Sequence, residues 1–96
     1  MFSMTDVILA VASPPGHSLR GIVRLSGPST FDLLRDHLEG ISFTRGAHVA
    51  RLGVNQTALP VIALIMPGPH SYTGEDCAEL QLPGNPQLLS RVIASL

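Results

Sequence analysis

Nine consecutive residues at positions 58–66, ALPVIALIM, carry no polar side chain. A strand that is apolar on both faces belongs in the middle of a sheet, so this segment is expected to be central, joined to a strand over 47–54 by a turn around residues 55 and 56. Pro60 sets a condition on that placement. It has no N–H for a ladder hydrogen bond, so it has to sit near the strand's start or at a bulge. Residues 6–12, DVILAVA, form a second apolar run, rich in β-branched residues and stopped by the SPPG turn at 13–16, which predicts a strand buried on both faces. Residues 21–26, GIVRLS, alternate, with Val23 and Leu25 on one face and Ile22 and Arg24 on the other. Residues 75–82, EDCAELQL, alternate in the same way and place Glu75, Cys77, Glu79 and Gln81 together.

Two helices complete the pattern. Ser29 and Asp32 have the S-x-x-D form of a capping box, Phe31, Leu34 and Leu38 follow helical spacing, and Gly40 supplies a stop, which predicts a helix over 29–39 with His37 on its solvated side. After a turn at Pro83-Gly84, Asn85 is a good N-cap and Pro86 suits the first helical position, with Leu88, Leu89, Val92, Ile93 and Leu96 as the apolar stripe. That stripe reaches Leu96 without a C-cap, so the native chain is expected to continue. The predicted order is β-β-α-β-β-β-α, an α+β fold with both helices on one side of a mixed, mostly antiparallel sheet. One domain over residues 1–96 is expected, shortened at its C-terminal end.

Composition narrows the chemistry. Only 14% of the residues are charged, mean hydropathy is +0.32 and the formal net charge is −1, so a disordered chain is excluded and an interface with another chain is expected. All six cationic side chains are arginines, and no lysine occurs. That excludes a GxxxxGK[ST] phosphate loop and a Schiff-base mechanism, and with seven carboxylates against the arginines there is no basic excess for direct RNA binding. One cysteine and four histidines without metal-ligand spacing point away from a disulfide, a zinc site or any other metal site, and Cys77 is expected to be a small buried or interface residue. The N-terminus has neither a basic signal-peptide region nor a membrane span, and a cytoplasmic protein is expected.

Chemistry-bearing residues gather in 13–28, SPPGHSLRGIVRLSGP, and 67–80, PGPHSYTGEDCAEL. Turn-making accounts for the prolines and glycines of both. It does not account for Arg24, nor for Tyr72, Thr73, Glu75 and Asp76, which put an aromatic face, a hydroxyl and two carboxylates within five residues.

These segments resemble the N-terminal domain of the MnmE/TrmE family of bacterial tRNA-modification GTPases, whose members carry a TPPG turn, a GIVRLSGP strand-to-helix junction and a PxSYTGEDxxEL segment. Here they read SPPG at 13–16, GIVRLSGP at 21–28 and PHSYTGEDCAEL at 69–80, in the family's order and spacing. The resemblance implies a domain that binds a tetrahydrofolate derivative, 5-formyl- or 5,10-methylene-tetrahydrofolate, as a one-carbon source, and that pairs into a homodimer. It further implies a parent protein whose GTPase domain binds GTP, Mg and K and lies outside this chain. That parent acts with a flavoprotein of the MnmG/GidA type on the wobble uridine of tRNA, and no catalysis is expected of this piece alone.

A folate ligand suits the residues present. The pterin's adjacent N–H and amine donors can be accepted by one carboxylate, Glu75 or Glu79; Tyr72 can stack on a ring, with Thr73 beside it; and Arg20 or Arg24 can pair with the anionic glutamate tail. Departures from the family pattern at Ser18-Leu19 and Pro83-Gly84-Asn85 leave a second reading open, a ligand-free dimerisation module. An independent folate-dependent enzyme is a third, disfavoured by the short chain.

Overall fold

The computed structural model describes residues 8–11, 18–54, 56–71 and 74–96. Along the chain it contains β1 (Ile8–Val11), β2 (Ser18–Ser26), α1 (Thr30–Arg35), β3 (Leu38–Glu39), β4 (Gly46–Val54), β5 (Thr57–Met66), β6 (Cys77–Gly84) and α2 (Pro86–Ser95). The strands form one sheet in the order β1-β2-β6-β5-β4-β3, and all five neighbouring pairs are antiparallel. This is the expected α+β arrangement, with the two-residue β3 added at one edge.

β5 lies between β6 and β4, as its uninterrupted apolar run requires. Pro60 is accommodated by the ladder's parity. The Gly53 N–H donates to the His37 carbonyl beside β3, so odd-numbered residues of β4 bond away from β5. Pro60 stands opposite Arg51 and therefore bonds in the other direction, toward the β6 side, but β6 pairs with β5 only from Ile62 onward. Its missing N–H falls where no strand needs it.

Alternation then sorts the side chains. Val23 and Leu25 of β2, Leu80 and Leu82 of β6, Ala63 and Ile65 of β5 and Leu52 of β4 share the inner face, where Leu34 of α1 and Leu89 and Val92 of α2 pack on them. Each of the leucines buried there contributes roughly 1.5–3 kcal/mol. Gly21 marks the closest approach of α2, since a Cβ there would lie 2.8 Å from Leu89 Cδ2. Asn85 caps α2 as expected, its side-chain oxygen accepting from the N–H groups of Gln87 and Leu88.

Several details differ from the sequence pattern. α1 ends at Arg35, not 39, because Leu38 turns into β3 and buries itself opposite Leu52. Ser29 makes no side-chain cap, so the capping box does not form: Thr30 Oγ1 donates instead to the Gly27 carbonyl, and Asp32 pairs with Arg35. His37 follows the helix and is half-buried. Pro83 and Gly84 extend β6 rather than turning, with Gly84 opposite Ser18. β1 is an edge strand, and its expected burial on both faces concerns side chains outside the description.

Candidate functional site

Among the described residues no helix covers the outer face of the sheet, and the residues alternating with the core project there. Arg24 and Glu79 face each other across β2 and β6. Arg24 Nε and Nη2 both donate to Glu79 Oε1, at 3.0 and 2.6 Å. The Glu79 side chain is 7% exposed and that of Arg24 is 43%. A carboxylate so nearly withdrawn from water is tolerated only when paired, and an ion pair of this kind stabilises no better than well-packed apolar residues would. Scaffolding alone therefore gives no reason for it.

The pair has polar neighbours on both sides. Toward one end, Arg20 Nη1 donates to Gln81 Oε1 at 3.1 Å. Toward the other, the fully buried Cys77 lies opposite Ser26, its thiol 3.5 Å from the hydroxyl oxygen. From Arg20 to Ser26 these pairs form a stripe roughly 20 Å long, at about 3.3 Å per strand residue. Beside the Arg20 end, an open groove of about 290 Å³ is lined by Val49, Pro60, Ile62, Gln81 and Pro83 as well as Arg20. Beyond the Ser26 end, the connection from β5 to β6 begins.

That connection is pinned at its neck. The Gly68 N–H donates to Asp76 Oδ1 at 3.0 Å, and the Gly27 N–H donates to the Asp76 carbonyl at 3.0 Å. Gly68 lies so close to the returning arm that a Cβ there would be 2.7 Å from the Gly74 carbonyl oxygen. Ser71 Oγ donates to the Glu75 carbonyl. From the start of β4, Arg45 Nη2 donates to the Pro67 and His70 carbonyls at 2.9 and 2.8 Å.

Of the residues singled out in the sequence, Arg20, Arg24 and Glu79 come together on one face. Glu75 is exposed, two residues before β6 begins, so it and Glu79 occupy different parts of the surface. Tyr72 and Thr73 lie outside the described residues, as does the SPPG turn. Gln81, which alternation places on the Glu79 face, was not singled out for the site, and neither Arg45 nor the anchoring use of Asp76 was anticipated. Gln81 could have been found, since it stands two positions beyond Glu79 on the same strand; the Arg45 contacts span 22 and 25 residues and leave no local pattern. Among the described residues, no group of three His, Cys, Asp or Glu could hold a metal ion. No helix among them is long and apolar enough to cross a membrane.

Fold and site together define a small α+β domain with one sheet face that no helix among the described residues covers, lined by paired arginines and acceptors. Comparison with known proteins gives the family. Residues 7–96 match the family described as GTP-binding protein TrmE N-terminus, and the chain belongs to it. It is 43% identical over 91 residues to the tRNA modification GTPase MnmE of Chromohalobacter salexigens, with 93% of this chain and 20% of that protein covered. The protein of the same name from Sodalis glossinidius is 43% identical over 98 residues, covering 96% of this chain and 22% of that protein. The one from Aquifex aeolicus is 37% identical over 95 residues, covering 94% and 21%. The chain thus spans about a fifth of the length of these relatives.

Proposed function

We propose that this chain is the reduced-folate-binding and self-associating N-terminal domain of a tRNA-modifying GTPase. The observation that carries this reading is the Arg24–Glu79 pair. Both arginine bonds land on Oε1, so Glu79 is oriented while Oε2 keeps its capacity to accept from a ligand. A pterin N–H or exocyclic amine is a donor of the kind that oxygen accepts. Arg20, four residues along β2, stands where the anionic tail of an elongated ligand would reach, and Glu75 lies in the loop at the opposite end; Tyr72 for stacking and Thr73 beside it remain the readings of the sequence. In this reading GTP, its Mg and K ions, tRNA and a flavoprotein of the MnmG/GidA type engage the rest of a longer protein, in the cytoplasm. The chain supplies no lysine for a phosphate loop of its own.

Calorimetric titration of the 96-residue chain with 5-formyltetrahydrofolate tests the ligand. Saturable one-site heat is expected, and its absence at millimolar ligand sinks the folate reading. The carboxylate that holds the pterin is then identified by comparing Glu75→Gln with Glu79→Gln: the correct one loses roughly 1–3 kcal/mol of binding, as a charge-assisted hydrogen bond becomes a neutral one.

A second reading, a ligand-free dimerisation module, has its own support. Val49 is 80% exposed on the same uncovered face that carries half-buried Ile62, Leu64 and Met66. Sedimentation velocity separates the two readings, because a dimer indifferent to folate favours assembly alone.

A further inference from the structure

We infer that Arg45 is a positioning residue, which holds the connection between β5 and β6 in place against the end of the polar stripe. This deepens the folate reading above and rests on it for the ligand, though not for the loop. The need for such a residue follows from the loop's own composition. Its outgoing arm, residues 67–70, contains Pro67 and Pro69, which have no N–H to offer, so this arm cannot build a turn from a full set of backbone bonds. Its carbonyls must find donors elsewhere.

Arg45 is that donor. One guanidinium nitrogen bridges the Pro67 and His70 carbonyls, and the side chain comes from the residue directly before β4, whose register with β5 fixes where it stands. Asp76 ties the two arms to each other at Gly68 and holds the returning arm to Gly27. Arg45 therefore adds a tie from the outgoing arm to the β4 side of the sheet, while Asp76 closes the neck and ties it to the β2 side. A guanidinium suits the task because its donors are fixed in one plane and it stays charged at any working pH. With both anchors in place, Glu75 stands at a defined position relative to Glu79 and Arg24.

Arg45 is exposed, so water competes for the same carbonyls and the effect of losing it is moderate. Arg45→Ala is expected to raise amide exchange in residues 67–76 roughly three- to tenfold while exchange in β2, β4, β5 and β6 stays unchanged. Because a ligand sees only the competent fraction of loop conformations, the 5-formyltetrahydrofolate Kd should rise at unchanged Tm, by at most the factor seen in exchange, and Arg45→Lys should recover part of it. Unchanged loop exchange in Arg45→Ala overturns the inference, and so does loss of protection spread evenly over the sheet. If the unsubstituted chain binds no folate, the ligand reading falls alone, and the exchange result still decides whether Arg45 holds the loop.

Discussion

Under the helices, Val23, Leu25, Leu80 and Ala63 are fully buried; one position away in the same strands, Arg24, Glu79 and Leu64 face a side that no helix among the described residues covers. The inner face is closed by the chain itself, with Leu34, Leu89 and Val92 filling the spaces between strands. On the outer face a carboxylate is nearly withdrawn from water by its neighbours alone, while Val49 is left 80% exposed. Identical backbone geometry thus supports two surfaces with different logic. One is optimised for packing density, the other keeps polar groups aligned where apolar ones would have packed as well.

Substitutions can break this contrast. The largest effect is expected inside: Leu80→Ala removes a fully buried side chain from the middle of the sheet and should cost about 2–5 kcal/mol of unfolding free energy in a urea titration. A loss below 1 kcal/mol would mean that the inner face is not the tight core described. Outside, Glu79→Gln should cost less, about 1–2 kcal/mol, because Arg24 is 43% exposed and can turn to water once its partner is neutral. A cost as large as that of Leu80→Ala would erase the distinction between the faces. The smallest effect belongs to Val49→Ser, which should change stability by less than about 0.5 kcal/mol. Its informative readout is sedimentation, where a weaker self-association is expected if this face meets another copy.

Much of the sheet was legible because strand periodicity is short and exact. GIVRLS at 21–26 and the segment from Cys77 to Leu82 alternate cleanly, and burial of both inner faces puts Arg24 and Glu79 on the same outer face, leaving their pairing to the register. α2 was readable from Asn85 and Pro86, a cap and a first-turn residue with well-defined uses. The end of α1 was not. Leu38 sits four residues after Leu34, which fits a helix as well as it fits a short strand, and only the presence of Leu52 across from it decides. Pro83-Gly84 misled for a similar reason, since a dipeptide typical of turns is also tolerated at the end of a strand. In the candidate site, Arg24 and Glu79 could be named from sequence, but their mutual engagement spans 55 positions, and the bridge from Arg45 depends on the β4–β5 register.

Pro60 has a consequence for solubility as well as for the ladder. The six residues that follow it, VIALIM, combine β-branched and aliphatic side chains with no charge, the composition of segments that stack into fibrils when their backbone is open. Over 62–65 this segment is bonded to a strand on each side, so it offers no edge to another molecule. Where β6 parts from β5, Pro60 stands on one bank of the groove and Pro83 on the other. A foreign strand entering there would find a missing donor on both banks. The gap is therefore a poor template for a further strand.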